Sequence, residues 1–101
     1  MDNIIDNIMQ SKMTIDGNGD KFWIVNNKLH RTDGPAVVWT DGSKFWYVNN
    51  KLHRTDGPAI EFASGNIIWR LYGTYLTFGA WLDQNTELTD DEKVMFKLQY
   101  G

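Results

Sequence analysis

One string constrains this chain more than any other feature: sixteen residues stand twice, almost unchanged. KFWIVNNKLHRTDGPA (21–36) aligns with KFWYVNNKLHRTDGPA (44–59) at an offset of 23, and only Ile24 against Tyr47 differs. The same offset uncovers a third, degraded copy. Gly19, Gly42 and Gly65 align, as do Trp23, Trp46 and Trp69, and Val25, Val48 and Leu71. After Trp69 the copy stops, because RLYGTYLTFG contains no HRTDGPA. A fixed period of this length marks a repeat architecture, in which each unit stacks on its neighbour and a divergent end unit serves as a cap.

Each unit reads as a β-hairpin. KFWIV and KFWYV are aromatic and β-branched runs that favour strands. Alternation puts Phe22 and Ile24 on one face and Trp23 and Val25 on the other. NNK supplies the turn, since Asn tolerates positive φ better than other non-glycine residues. KLHR returns as a short strand, TDGPA breaks the ladder, and AVVW and AIEF resume it. TDGS and ASGN link one unit to the next.

The ends follow a different period. MDNIIDNIMQ places Ile4, Ile5, Ile8 and Met9 on a helical stripe. Near the C-terminus, Thr89 and Glu92 form a capping-box pattern, Asp90 and Asp91 suit the positive end of a helix, and Gly101 suits its end. Leu88, Val94, Met95, Leu98 and Phe96 supply its apolar face. FGAWLDQ (78–84) fits another helical turn. The expected fold is α+β, one domain over 1–101: an N-terminal helix (1–12), a single antiparallel β-meander of hairpin repeats (14–76) and a C-terminal helical cap (77–101).

Composition narrows the function. The net charge of −3 argues against general nucleic-acid binding, which calls for a basic face. No cysteine is present, so thiolate chemistry and disulfides are out. The acidic N-terminus does not read as a signal peptide, and no apolar run reaches membrane-spanning length. These features read as a soluble, intracellular protein with no membrane association.

With the repeat in view, the chain resembles the MORN-repeat family, in the HRxDGPA variant found in proteins of large tailed bacteriophages. The resemblance covers about residues 14–73 and rests on the aligned Trp23, Trp46 and Trp69, on Gly19, Gly42 and Gly65, and on the two HRTDGPA strings. Asn27, Asn50, Arg31 and Arg54 stand where the standard repeat has Gly. It implies a single-layer meander and a phage setting, hence the cytoplasm of an infected bacterial host.

Three sets of residues are candidates for chemistry. His30, Arg31, His53 and Arg54 would form a repeated cationic ridge for a carboxylate or phosphate. The structural alternative, which the copying favours, has Asp33 and Asp56 in Asx-type turns, with Arg31 and Arg54 paired either with those aspartates or with an aspartate of the adjacent unit. Trp23, Trp46 and Trp69 would stack as a ladder, either to hold a ligand or as a column under the helices. Glu87, Asp90, Asp91 and Glu92 offer an acidic contact surface. DGNGD (16–20) lacks the order and closing Glu of a calcium loop, so no metal is expected. The histidines sit in repeat-equivalent places, which suits a scaffold better than a nucleophile–base pair.

The expectation is a non-enzymatic phage protein, without cofactor, that inhibits a bacterial defence or other host protein by stoichiometric contact. The alternatives are a sponge for a nucleotide signal and a structural or assembly repeat. Open strand edges also point to a homo-oligomer.

Overall fold

The structure, a computed structural model, describes residues 11–101. Most of the expected N-terminal helix lies outside these residues. Its last two positions are not helical: Ser11 is irregular and Lys12 opens strand β1 (Lys12–Ile15). KMTI carries β-branched residues beside the first repeat and pairs antiparallel with β2 (Lys21–Val25), so the sheet begins before residue 14.

The fold is α+β. The strands continue as β3 (Lys28–Leu29), β4 (Val37–Val38), β5 (Lys44–Phe45), β6 (Tyr47–Val48), β7 (Lys51–Leu52), β8 (Ile60–Glu61), β9 (Ile67–Leu71) and β10 (Thr74–Leu76). Helices α1 (Phe78–Gln84) and α2 (Asp90–Tyr100) follow. Among the described residues one antiparallel sheet runs β1-β2-β4-β5-β8-β9-β10, with β3 on β2, while β6 and β7 form a separate hairpin. No helix among them is long and apolar enough to cross a membrane.

The repeat period reappears in the hydrogen bonds. Each hairpin tip takes positive φ, at Asn26 and Asn27 (50° and 62°), at Asn49 and Asn50 (50° and 65°), and at Tyr72 and Gly73 (50° and 84°). Asn suits the left-handed region, and Gly73 replaces it in the third unit. Each later tip then docks on the return strand of the unit before it. The Asn50 N–H donates to the Leu29 carbonyl at 2.9 Å, and the Leu29 N–H donates to the Asn50 side-chain oxygen at 2.7 Å. One unit on, the Gly73 N–H donates to the Leu52 carbonyl at 2.8 Å.

The sheet has one continuous apolar face. Register aligns Phe22, Val37, Phe45, Ile60 and Ile68 across five strands. An edge-to-face row of rings, Phe22–Trp39–Phe45–Phe62, runs along it with centroids 5.7–5.9 Å apart. Sequence reading placed the aromatic column on the other face, at Trp23, Trp46 and Trp69.

The helices close the C-terminal end. Trp81 is fully buried and joins Trp69, Leu71, Leu76 and Leu82 in the main core cluster, with Phe78, Leu88, Phe96 and Tyr100 packed against it. The capping box at Thr89 and Glu92 forms, and the Gly101 N–H bonds to the Lys97 carbonyl. The expected apolar face of α2 divides: Leu88 and Phe96 pack inward, whereas Val94, Met95 and Leu98 stay exposed. Phe96 and Tyr100, four residues apart, turn the ring side of α2 toward Trp81 and Trp69, which rotates the aliphatic stripe outward.

Truncating the cap should test its weight. Trp81→Ala is expected to destabilise the fold by about 3–5 kcal/mol, read as a lower urea midpoint with little change of slope.

Candidate functional site

Each HRTDGPA string folds around its arginine. The Arg31 guanidinium lies over the Trp23 ring, 4.0 Å from its centroid, and that of Arg54 lies over Trp46 at 3.7 Å. The Nε–H groups donate to Asp33 Oδ1 at 2.9 Å and to Asp56 Oδ1 at 2.7 Å. The Nη1–H groups donate to the carbonyls of Pro35 at 3.1 Å and Pro58 at 3.0 Å. Arg54 Nη1 also reaches Glu61 Oε2 at 2.9 Å, a bond the first unit lacks because Val38 stands in that place.

The small residues make room for this arrangement. A Cβ on Gly34 would stand 2.8 Å from the Arg31 guanidinium carbon, and one on Gly57 would stand 2.7 Å from that of Arg54. Ala36 and Ala59 are fully buried under the corner. The guanidinium is therefore held between an indole face and a bare backbone.

The expected Arg–Asp pairing forms, but the Asx turns lie elsewhere. Asp33 and Asp56 accept from arginine side chains, whose charge-assisted bonds are the stronger choice. Asp16 and Asp41 make the side-chain-to-backbone turns instead, accepting from the N–H groups of Asn18, Asp20 and Ser43. Arginine's hydrogen bond and then its charge hold the Asp33 carboxyl below its ordinary value.

The histidines do not extend a cationic ridge. His30 Nδ1 accepts the Asn49 N–H at 3.1 Å, and His53 Nδ1 accepts the Tyr72 N–H at 2.9 Å. Both rings thus join one unit to the next tip as hydrogen-bond acceptors. Burial pushes the His53 imidazole below its ordinary value of 6.5, against the opposing pull of the Glu87 carboxylate. The Tyr72 ring lies over His53 with centroids 4.2 Å apart.

The tryptophans do not stack on one another. No ring contact joins Trp23, Trp46 and Trp69 among the described residues, because arginine occupies the face of the first two. Trp69 instead meets Trp81 at 4.5 Å, Phe78 at 5.0 Å and Tyr100 at 4.9 Å. The covered-column reading fits Trp69 alone. In the acidic segment Glu87, Asp90, Asp91 and Glu92 are all exposed, and Glu92 is committed to the Thr89 N–H.

Between the two corners lies an open groove of about 690 Å³. One wall is Arg31–Gly34 and the other is His53–Asp56, with Trp46, Val48 and Tyr72 completing it. Two arginines face two aspartates, so the lining carries no net charge once His53 is neutral. Each aspartate is more than four-fifths exposed, with Oδ1 engaged and Oδ2 turned to no bond among the described residues. Sequence reading missed Val48, Tyr72, Trp81 and Asn85. The 23-residue alignment carried a signal for the first two, since Val48 matches Val25 and Tyr72 matches the tip residue Asn49. No cluster of His, Asp or Glu that could hold a metal ion occurs among the described residues.

Comparison with known proteins returns no match: no family model, curated protein or solved structure matches this chain.

Removing the cation should cost the two units unequally. Arg54→Ala is expected to destabilise by about 1–3 kcal/mol and Arg31→Ala by less, because only Arg54 also bonds Glu61. Paired urea titrations check the order. Acid should weaken the second tip contact. A histidine whose folded pKa is lowered contributes stability above its unfolded value and loses it as pH falls through the folded one. The urea midpoint should therefore hold above about pH 6.5 and decline below it. His53→Asn, whose side-chain carbonyl accepts the same bond without titrating, should flatten that part of the curve.

Proposed function

We propose that this chain is a non-catalytic binding protein that acts by stoichiometric contact with another protein, through the face that carries the two corners. The observation behind this reading is the charge balance of the groove. Its arginines are engaged by Asp33, Asp56 and Glu61, so a phosphate would meet guanidinium charge that carboxylates already balance. A polypeptide suits such a surface better, since it offers donors to the exposed Oδ2 atoms and apolar atoms to Val48 and Tyr72. No nucleophile–base pair is associated with the groove: its one histidine is tied to the Tyr72 N–H.

The repeat resemblance supplies the setting. The HRTDGPA strings resemble repeats found in proteins of large tailed phages, and that resemblance points to a partner in the cytoplasm of an infected bacterium. A protein of a host defence system, held by an inhibitor that works by occupancy, is the partner we propose. The exposed Glu87 carboxylate acts on His53 of the groove and would extend the contact surface from there, with Asp90 and Asp91 following it in the chain.

The test is capture from bacterial lysate with tagged chain, followed by size exclusion of the purified complex. A one-to-one or other fixed stoichiometry is expected for wild type. The doubly reversed variant D33K/D56K should weaken the complex at least about tenfold, or 1.4 kcal/mol. Saturable heat with a nucleotide in calorimetry, lost in Arg31→Ala/Arg54→Ala, would instead establish a nucleotide sponge and sink this reading.

A further inference from the structure

The second corner already holds a helix. Trp81 Nε1–H donates to the Arg54 carbonyl at 3.0 Å, and Asn85 Nδ2–H donates to the Thr55 carbonyl at 2.8 Å. These two residues stand four apart at the end of α1, so they lie on one face of the helix. The corner carbonyls that receive them come from a segment identical in both repeats. One unit back, the equivalent acceptors are the carbonyls of Arg31 and Thr32. Among the described residues no donor reaches either of them. Both residues line the groove.

We propose that the groove is a seat for a helix of the partner protein, one that presents an aromatic N–H donor and, one turn later, a carboxamide. This rests on the binding reading above and gives its partner a chemistry. The chain itself supplies the template, since α1 meets the same backbone corner with that pair. The groove's volume of about 690 Å³ admits the side chains of a helical turn. Its lining offers what an indole needs: Val48 and the Tyr72 ring for apolar and edge contact. The exposed Asp33 and Asp56 carboxylates flank the seat and favour lysine or arginine on the partner helix beside the aromatic residue. The mode is helix-in-groove recognition, with two backbone carbonyls setting the register.

One difference separates the two seats. At the second corner, Trp69 is covered by Trp81 itself, whereas at the first the neighbouring Trp46 is already covered by Arg54. The incoming ring therefore does not find the indole face that Trp81 covers at the second corner, and packs against Val48 and Tyr72 instead. That makes the seat reversible, as a partner contact must be, where the α1 seat is part of the core.

The experiment titrates the full-length chain, labelled with nitrogen-15, with a blocked synthetic peptide of residues 77–88 (TFGAWLDQNTEL) followed by four lysines. Saturable amide shifts are expected at Thr32, Asp33, Gly34 and His53. They should vanish with a peptide carrying Ala at the position of Trp81. They should vanish also in the Thr32→Tyr chain, which fills the groove from an exposed side chain that makes no hydrogen bond among the described residues. An otherwise unchanged spectrum shows that this variant is folded. Absence of saturation, or shifts confined to 77–100 as the peptide replaces the chain's own α1, would overturn the seat. So would a captured host protein that binds wild type and Thr32→Tyr equally, and that result would leave the stoichiometric-binder reading standing. Conversely, a peptide that saturates the groove of a chain that captures no protein upholds the seat while the functional reading fails.

Discussion

Everything in the repeat is arranged around a guanidinium set over an indole ring. The pair contributes about 0.5–2 kcal/mol by itself, which is modest. Its importance lies in what it fixes. An arginine with its Nε–H on an aspartate and its Nη1–H on a proline carbonyl has few rotamers left, so the backbone from Arg31 to Pro35 is held to one path. That path delivers Ala36, whose N–H bonds to the Phe45 carbonyl and starts the next pairing of the sheet. The corner is a side-chain-directed turn, used where a ladder of very short strands cannot hold its own direction.

This explains why the string repeats without change. Leucine gives the carbonyl that receives the next tip, and histidine gives the Nδ1 that receives the tip's other N–H. Arginine, aspartate and proline close the corner; glycine admits the guanidinium and alanine fits beneath it. The threonine side chains make no hydrogen bond among the described residues, and both threonines line the groove. The constraint also explains where the string stops. The third unit has no arginine to cover Trp69, and Trp81 takes that place from a helix, its indole N–H bonded to the preceding corner's carbonyl. The cap imitates a repeat with different chemistry.

Much of this was legible in the sequence, for reasons particular residues make plain. The hairpins, the Asn tips, the aligned glycines and the capping box follow from local preferences, which act over a few residues. The pairing of Arg31 and Arg54 with aspartates two residues on is equally local. The aromatic row on the opposite face was not legible, because Trp39 and Phe62 close the strands AVVW and AIEF and meet Phe22 and Phe45 only through register. Trp81 was hidden for the same reason: its partners lie 12 and 27 residues away, at Trp69 and Arg54. The expected tryptophan ladder does not form, because equal spacing in sequence does not bring the three rings into contact. A 23-residue period sets equivalent positions, and what covers each position is decided by the side chain that arrives there.

The division of the arginines' work bears on function more than their number does. A free guanidinium is an anion site, but one that already closes a corner is a structural part, and recruiting it for a ligand would loosen the turn it defines. The exposed half of the same ion pair, the carboxylate, carries no such penalty. Asp33 and Asp56 turn most of their surface to solvent while their arginines stay mostly covered. The face that a chain with two HRTDG strings presents outward is therefore acidic at its corners and neutral overall. Any partner that suits that face would have to bring donors, and at the first corner it would meet two carbonyls that no donor reaches among the described residues.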